Sequence, residues 1–449
     1  MKRRNRRGFS FGTLFMSALL ILVLGGSAYV LARLSSGTEG DLTRAVHTAL
    51  QLGAETTRQG IEDILIREPG GENTRTGSGN AAGTGTPSGG GAGDAAREKA
   101  VLAQEAGDGV RSFTLTVGGT AAIETEIRRS CYSNDSGKYD FTDVMMLLRD
   151  SMRSDWNCVF LENILSDEYK VNATIVPTTA AEMLRGAGIG HAACGFGKAY
   201  DKGTAGVRAT LAALQSSGLE AVGLYEPDGA AGFRVVELGG VRAAFLQYTD
   251  TLTAAVRKSL AKDGVAGALP EADPERIGAD IAEARNRGAE FVAVLIQWGK
   301  AGKAVDKAQR ELAQQIADAG ADLIIGCGSR LPQAAEMLQT ERNGQPGQTL
   351  CAYSLGTLLS DNRDNAKRLS GYLLHATVRC ETGKAPVVEA SYTPTYLWRF
   401  KQDGKYFYRC VPADGPAPDG MDSEQTKMRE RAEKAVADAL AGSPLEKRE

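Results

Sequence analysis

The chain has 449 residues, of which 42% are hydrophobic, so it is long enough to bury a large core. Its formal net charge is −3 and its pI is about 5.9. A nearly balanced, slightly acidic chain lacks the basic surplus of nucleic-acid-binding proteins, and we therefore expect no nucleic-acid partner. Its three histidines, His47, His191 and His375, are too few and too scattered for a histidine-rich centre that holds two metal ions.

The N-terminus combines a basic cluster with a long apolar run. Five cations lie within residues 1–8, and an uncharged, mostly apolar stretch follows at residues 9–32. At about 1.5 Å per residue, a helix of that length crosses a hydrocarbon core of roughly 30 Å. The basic segment should stay in the cytoplasm, which predicts a single-pass cell-membrane protein with an extracytoplasmic main domain. The competing interpretation is a cleaved signal peptide, although such apolar regions are usually shorter, about 7–15 residues.

The segments that follow predict a tether and then a globular domain. Residues 33–68 place apolar side chains at helical spacing among charges, which indicates a juxtamembrane amphipathic helix; pairing with another chain is the alternative. Residues 69–111 include a Gly-rich stretch with almost no large apolar side chain, which is typical of a flexible linker. We expect the globular domain at residues 112–412. The charged tail at residues 413–449 is predicted to be an isolated helix or disordered.

Strand-like and helix-like patterns alternate within the predicted domain. This order predicts an α/β fold with a mixed sheet or two sheets, and Gly239-Gly240 between two apolar runs predicts a tight hairpin turn. Helices are predicted at residues 141–153, 179–185, 204–217, 274–286 and 309–318. Strands are predicted at residues 113–117, 157–161, 189–194, 221–225, 233–238, 241–248, 291–297, 320–326, 350–355, 372–380, 387–393 and 406–411.

The seven cysteines all lie in the part of the chain that is predicted to face the outside, where disulfides are allowed. None has the CxxC spacing of a zinc or redox site. Cys194, Cys327 and Cys351 fall in strand patterns and are expected to be buried small residues. Cys380 and Cys410 end two late strands, so a bridge between them is a hypothesis.

Several short motifs in residues 113–411 occur in a recognisable order. They are Asp201-x-Gly203, Trp298-Gly299, the strand GADLIIG and Tyr353-Ser354-Leu355-Gly356. In this order they resemble the CapA family of poly-γ-glutamate capsule synthesis proteins, which shares the calcineurin-like metallophosphatase fold. The resemblance implies a layered α-β-β-α sandwich. It also implies a role in capsule or cell-surface polymer assembly, with an anionic envelope polymer or capsule-assembly proteins as partners.

The family's metal-binding positions are altered in this chain. The residues that stand there are Gly119, Gly197, Lys198, Gln297, Cys327 and Arg330. Only Glu162 remains as a plausible ligand. A binuclear hydrolase site needs imidazoles, carboxylates and an amide around its cations, with their hydrogen-bonded surroundings intact. Lys198 and Arg330 would instead place positive charge there. We therefore expect a pseudoenzyme that holds no metal and no other cofactor.

The resemblance still implies candidate site residues, and it leaves two functions open. The ligand-binding candidates are Lys198, Gln297, Trp298, Arg330 and Thr357. Lys198 and Arg330, with Lys300, are expected to hold a carboxylate or a phosphate; alternatively, they pair with Glu162 or Asp201 and fill an inactive pocket. Trp298 stacks on a ligand or packs inside the loop. The alternative function is a hydrolase or transferase with a rearranged site, in which Glu162 and Asp201 carry out acid–base chemistry.

Overall fold

The structure is a computed structural model that describes residues 109–228, 232–342 and 345–448. The predicted membrane span at residues 9–32, the predicted juxtamembrane helix at residues 33–68 and most of the predicted linker lie outside the described residues. Within the described residues, every helix is too short or too polar to cross a bilayer.

The described residues form an α/β fold, as the alternating pattern predicted. The α-helices are α1 (Thr125–Ser130), α2 (Thr179–Gly186), α3 (Gly203–Ser216), α4 (Ala254–Asp263), α5 (Pro274–Asn286), α6 (Lys307–Asp318) and α7 (Ser423–Ala439). The strands in the first half are β1 (Arg111–Ala121), β2 (Tyr132–Ser133), β3 (Lys138–Tyr139), β4 (Trp156–Leu161), β5 (Ile164–Leu165), β6 (Ile175–Val176), β7 (His191–Ala193), β8 (Glu220–Val222), β9 (Val235–Leu238) and β10 (Val241–Thr249). The later strands are β11 (Phe291–Gln297), β12 (Leu323–Cys327), β13 (Ala335–Arg342), β14 (Gln345–Ala352), β15 (Thr357–Leu359), β16 (Ser370–Cys380), β17 (Val387–Gln402), β18 (Lys405–Pro412) and β19 (Glu446–Lys447).

Two mixed sheets form the centre of the fold. The first sheet has the order β18-β17-β16-β1-β4-β7-β8, with β15 paired to β1 and β19 paired to β17. The second sheet has the order β13-β14-β12-β11-β10-β9. The neighbours β1, β4, β7 and β8 run parallel, as do β10, β11, β12 and β14. The parallel strands therefore form one end of the first sheet and the middle of the second, with antiparallel strands beside them.

The alternation of side chains along the strands produces the layers. In β11, Phe291 and Leu295 point into a core between the two sheets, whereas Val292 and Ile296 point to the other face of their sheet. That outer face packs against α5 and α6. The outer face of the first sheet packs against α2 and α3. Both sheets are therefore buried on both faces, which explains why their parallel strands read as continuous apolar runs.

The turn at Gly239-Gly240 confirms the predicted hairpin between β9 and β10. Both residues have positive φ angles, +54° and +76°, as a two-residue turn of the I′ type requires. A side chain at Gly239 would also meet the carbonyl oxygen of Ser112 at 1.9 Å from its Cβ. Glycine is therefore required at this position by conformation and by space.

One predicted helix is corrected by the structure. Residues 141–153 form two 3-10 segments, Thr142–Val144 and Met146–Ser151, instead of one α-helix. Buried Phe141, Val144 and Leu148 lie three or four residues apart, and short tighter turns bury them equally well. The helix α4 and the strand β13 were not predicted, because they lie at the surface and carry few apolar side chains.

The expectation of an isolated or disordered C-terminal tail is wrong. Ala432 and Val436 of α7 are fully buried, and the first sheet gains β19 beside β17. Arg429 is only 5% exposed, and its guanidinium donates hydrogen bonds to the carbonyl oxygens of Pro412 and Gly415, both at 3.0 Å. The compact unit thus continues past the predicted boundary at residue 412 because a buried cation holds the connecting segment.

The proposed bridge between Cys380 and Cys410 is also wrong. All seven cysteines are free, and Cys194, Cys327 and Cys351 are buried, as predicted. Cys380 contributes to the core between the sheets, whereas Cys410 lies in the core on the opposite face of the first sheet. Two thiols on opposite faces of one sheet cannot approach to bonding distance.

His191 and His375 both make structural contacts within the fold. His375 is 5% exposed and lies 3.0 Å from the hydroxyl oxygens of both Thr116 and Thr393. His191 lies 3.3 Å from the carbonyl oxygen of Asn157 and packs on the Trp156 ring. Burial, with a smaller contribution from Arg448, lowers the pKa of His375 from 6.5 to about 3.

We expect His375→Gln to reduce the loss of stability on acidification. The folded chain keeps His375 neutral, whereas the unfolded chain binds a proton below its ordinary pKa of 6.5. The imidazole therefore has no effect on stability above that pH and destabilises the fold progressively as the pH falls towards 3, by roughly 2 kcal/mol at pH 5. Urea unfolding at pH 7 and pH 5 measures this difference. Equal losses in wild type and variant would show that His375 is protonated within the fold.

Candidate functional site

The candidate site lies where the parallel strands of the two sheets end. Loops that follow β1 and β4 in the first sheet meet loops that follow β10, β11 and β12 in the second. In open α/β sheets, this carboxyl edge is where ligands usually bind. The side chains that meet here come from five separate parts of the sequence, so the fold alone brings them together.

Glu162 is the junction between the two sheets. It directly follows β4, and its Oε1 accepts a hydrogen bond of 2.8 Å from the side-chain amide of Gln297 at the end of β11. Its Oε2 accepts a hydrogen bond from the guanidinium of Arg330, which follows β12. The Glu162 side chain is only 10% exposed. Both carboxylate oxygens are therefore already bonded to protein groups.

Arg330 bridges Glu162 and a second carboxylate, Glu124. Its NH1 nitrogen donates to Glu124 Oε1 at 2.8 Å, while its NH2 nitrogen bonds Glu162. Burial alone would lower the pKa of Arg330, but the two carboxylates outweigh that effect and raise it. Burial would likewise raise the pKa of Glu124, yet Arg330 and the amide of Asp361 hold it below its ordinary value. Arg330 and Glu124 therefore stay charged at neutral pH.

The backbone of Arg330 is held in an unusual conformation. Its φ angle is +55°, in the left-handed region that non-glycine residues rarely adopt. Thr357 is 1% exposed, and its hydroxyl donates to the Arg330 carbonyl oxygen at 3.0 Å. Thr357 therefore positions Arg330, and it is a support for the ion pair instead of a group open to a ligand. Strain of this kind persists only where the surroundings fix it.

Gln297 is held by a separate set of donors. Its side-chain oxygen accepts hydrogen bonds from the hydroxyl groups of Thr251 at 2.7 Å and Thr249 at 3.0 Å, and from the amide of Gly197 at 3.2 Å. These contacts fix the amide so that its nitrogen points at Glu162. Gln297 is therefore at the site, as predicted, but as a fully bonded, 6% exposed side chain.

The two glycines at former ligand positions have no room for a side chain. A Cβ on Gly119 would lie 2.5 Å from the carbonyl oxygen of Gly356, and one on Gly197 would lie 2.5 Å from that of Thr251. Real Cβ atoms do not approach so closely, so neither position has space for a side chain. Burial also raises the pKa of the Cys327 thiol well above its ordinary value, which keeps it protonated. A thiol in that form is a poor metal ligand.

These residues do not fit a binuclear metal centre. Glu124 and Glu162 are already bonded to the Arg330 guanidinium, and the remaining groups at the edge are the Asp250 carboxyl after β10, an amide, hydroxyls and a buried thiol. Two divalent cations need several anionic or imidazole donors. Within the described ranges, no group of three or more His, Cys, Asp or Glu side chains is arranged to hold a metal ion.

Trp298 packs inside the protein. Its side chain is fully buried, and the indole nitrogen donates to the carbonyl oxygen of Tyr353 at 2.8 Å. The indole stacks on the Tyr353 ring with centroids 5.8 Å apart. A Cβ on Gly326 would lie 2.4 Å from the indole nitrogen. The indole therefore fills the interior behind β12, which is the packing role that the sequence left open beside the ligand contact.

Among the described residues, Arg330 pairs with Glu124 and Glu162, and neither Lys198 nor Lys300 shares those partners. Lys198 and Lys300 are both exposed on turns, and within the described ranges neither one makes an ion pair. Asp201 is also exposed, in a turn closed by its amide and the Lys198 carbonyl oxygen at 3.0 Å. It is not among the bonding partners of Glu162. The interpretation in which Arg330 pairs with Glu162 therefore describes the site best.

Sequence reasoning missed two acidic residues at this edge, Glu124 and Asp250. Glu124 follows β1 by three positions and binds Arg330 and the backbone amide of Asp361 at 2.6 Å. Asp250 follows β10, and its carboxylate accepts a hydrogen bond from the Gly299 amide at 3.3 Å. Partial burial raises the pKa of Asp250 to about 6. Both residues closely follow strands that have parallel neighbours, and this position could have identified them as site residues.

Comparison with known proteins gives one family. Residues 114–362, more than half of the chain, match the family described as bacterial capsule synthesis protein PGA_cap. The PGA biosynthesis protein CapA of Bacillus subtilis (strain 168) is 31% identical over 212 residues. That similarity covers 45% of this chain and 52% of the relative, so the chain spans about half the length of the curated relative.

Two solved structures overlap with much of the chain at low similarity. One is a Staphylococcus aureus protein described as a 5′-nucleotidase in complex with alpha-ketoglutarate, and it covers 72% of this chain and 58% of its own. The other is the calcineurin-like phosphoesterase YfkN from Bacillus subtilis, at 73% and 98%. Both have 12% identity and a TM-score of 0.36, values too low to assign an activity or a ligand to this chain.

We expect Arg330→Ala to destabilise the fold by about 3–5 kcal/mol at pH 7, because it leaves two facing carboxylates partly buried without their cation. The loss should shrink at pH 4. The low pKa of Glu124 contributes stability that is complete above its ordinary pKa of 4.5 and is lost progressively as the pH falls below it, and protonation removes the repulsion in the variant. Urea unfolding at both pH values measures the effect.

A matched variant separates charge from packing. Arg330→Met combined with Glu124→Gln and Glu162→Gln removes all three charges and keeps most of the volume. We expect it to be within about 1–2 kcal/mol of wild type. If Arg330→Ala were equally mild at pH 7, the two carboxylates would not be held together as described.

Proposed function

Because this chain belongs to the bacterial capsule synthesis protein family, we propose that it acts in cell-surface polymer assembly as a non-catalytic, metallophosphatase-like module. It is anchored in the membrane by residues 9–32, and its main domain lies outside the cytoplasm. Its ligand is an anionic envelope polymer of the poly-γ-glutamate type, handled alone or with capsule-assembly proteins. One observation carries the non-catalytic part of this proposal: the guanidinium of Arg330 lies between Glu124 and Glu162.

The chemistry of that ion pair opposes hydrolysis of the metallophosphatase kind. In such a site, cations polarise the substrate and lower the pKa of a bound water. Here a fixed organic cation is bonded to both carboxylates, and it can do neither. An arginine has no open coordination position and no acidic proton at neutral pH. The fold of the family is retained at this edge, while the groups that would perform its chemistry are bonded to one another.

The membrane anchor is supported by the sequence. Five cations before an uncharged run of apolar residues favour a helix that spans the bilayer with its N-terminus in the cytoplasm. Alkaline carbonate extraction and protease digestion of intact cells test this topology. The proposal predicts a membrane-retained chain of full length whose main domain is digested from outside. Release of a shortened, soluble chain would instead indicate a cleaved signal peptide.

A second candidate function is a hydrolase or transferase with a rearranged site. Asp201 gives it no support, because its side chain is exposed and Glu162 is bonded to Gln297 and Arg330 instead. Asp250 does favour it, since a carboxyl with a pKa of about 6 beside Gln297 and Gly299 is suited to acid–base catalysis. In that case activity on an envelope polymer would rise or fall near pH 6, and Asp250→Asn would abolish it.

The proposal is tested by metal content and turnover of the full chain. We expect Mn²⁺, Zn²⁺ and Fe²⁺ to remain far below stoichiometric after dialysis, and no hydrolysis of a phosphodiester or of poly-γ-glutamate. The same preparation should bind poly-γ-glutamate in a pull-down. Tightly held metal with turnover, or turnover lost in Asp250→Asn, would contradict the non-catalytic role. Absence of polymer binding would contradict the polymer-handling role.

A further inference from the structure

A two-stranded hairpin projects from the first sheet. β16 pairs with β17 only as far as Tyr396, whereas β17 and β18 stay paired to the turn at Asp403-Gly404. Both turn residues have positive φ angles, +50° and +79°, as a tight hairpin requires. The hairpin lies beyond residues 114–362, the part of the chain that matches the family. The hairpin therefore lies outside the part of the chain that matches the family.

One face of this hairpin carries cations around an exposed aromatic ring. Cross-strand pairing puts Lys401 opposite Tyr406 and Arg399 opposite Tyr408 on the same face. The Arg399 guanidinium carbon lies 4.5 Å from the centroid of the Tyr406 ring, and the Lys401 ammonium lies 5.8 Å from it. Tyr406 is 48% exposed. The Arg399 guanidinium and the Lys401 ammonium therefore both lie over the Tyr406 ring, and about half of the side chain stays open to solvent.

Arg363 adds a third cation at the free edge of β17. Its NH1 nitrogen donates to the Leu397 carbonyl oxygen at 3.2 Å, and its guanidinium carbon lies 6.0 Å from the centroid of the Tyr408 ring. Burial lowers the pKa of Arg363, and the nearby charge of Arg399 lowers it further. The chain thus holds these two like charges near each other at a cost in free energy.

No carboxylate offsets this charge. Within the described ranges, Arg363, Arg399 and Lys401 make no ion pair, whereas exposed lysines of α7 do: Lys427 pairs with Glu424 and Lys434 with Asp438. A cluster of neighbouring unpaired cations is unfavourable by itself and becomes favourable when an anion binds. Arg363, Arg399, Lys401 and Tyr406 form what we call the cationic hairpin face.

We infer that the cationic hairpin face binds the carboxylate groups of an extended anionic polymer. A guanidinium matches a carboxylate in a two-point hydrogen-bonded pair, and the Tyr406 ring offers a flat surface to the aliphatic part of the chain. Arg399 and Lys401 are two positions apart on one strand, roughly 6–7 Å, which suits successive carboxylates better than one small anion. The choice of polymer rests on the proposed function, while the surface rests on the contacts above.

The test uses the full chain and fluorescently labelled poly-γ-glutamate, with binding followed by anisotropy at low ionic strength, where charges are least screened. Arg399→Gln/Lys401→Gln removes two charges from the cationic hairpin face. Lys427→Gln/Lys434→Gln makes the same change in net charge on α7. We expect the hairpin variant to bind about tenfold or more weakly, and the α7 variant to stay within about twofold of wild type. Unchanged unfolding midpoints would show that both variants fold.

Each other outcome overturns a different statement. If wild type and hairpin variant bind equally, or if both double variants weaken binding alike, the cationic hairpin face is not the site, and the proposed function stands. If wild type binds no polymer, the proposed function fails as well. Vesicles of phosphatidylcholine with phosphatidylglycerol are offered in parallel. Vesicle binding that the hairpin variant loses, without polymer binding by wild type, would assign this face to the membrane surface instead.

Discussion

The bonds that Glu162 makes to Gln297 and Arg330 join the two sheets at their functional edge. Glu162 belongs to the first sheet, and both of its partners follow strands of the second. A carboxylate that is 10% exposed needs compensation for its lost hydration, and it receives this from one neutral and one charged donor. The positions of Thr249, Thr251 and Thr357 follow, because each one holds either Gln297 or the Arg330 backbone.

The same interaction supports the proposed non-catalytic role. A guanidinium and a divalent cation can both pair with carboxylates, but only the metal ion also activates water. Arg330 offsets part of the negative charge of Glu124 and Glu162 without supplying such a metal centre. The structure then carries its uncompensated positive charge elsewhere, on the cationic hairpin face. One set of cations is internal and paired, and the other is at the surface and unpaired.

Much of this fold was predictable because the parallel strands are strongly patterned. The bounds of α5 and β11 agree with the prediction to the residue, since Asp273 caps the helix and the strand is a continuous apolar run. The predictions that failed concern features that depend on tertiary contacts. α7 is helical from its own capping box, but its packing depends on Arg429 reaching distant carbonyl groups. Single-sequence patterns do not show such contacts.

The sequence predicted several residues of the candidate site but not how these residues contact one another. Glu162, Gln297 and Arg330 were identified from the family motif, and the structure brings them together. Lys198 was grouped with them because the motif places it near the metal, although its side chain is exposed on a turn. Glu124 was missed because no motif marks it. Its role follows from Arg330, whose left-handed backbone directs the guanidinium between two carboxylates.

The most direct test of this account is a crystal structure of the chain grown with Mn²⁺ and measured at the manganese absorption edge. We expect the Arg330 guanidinium to lie between Glu124 and Glu162, with no anomalous peak near either carboxylate. An anomalous peak at coordination distance from Glu162, with Arg330 displaced from it, would contradict the account. The edge would then be a metal site that Arg330 occupies until a metal displaces it, and the chain would have to be reconsidered as an enzyme.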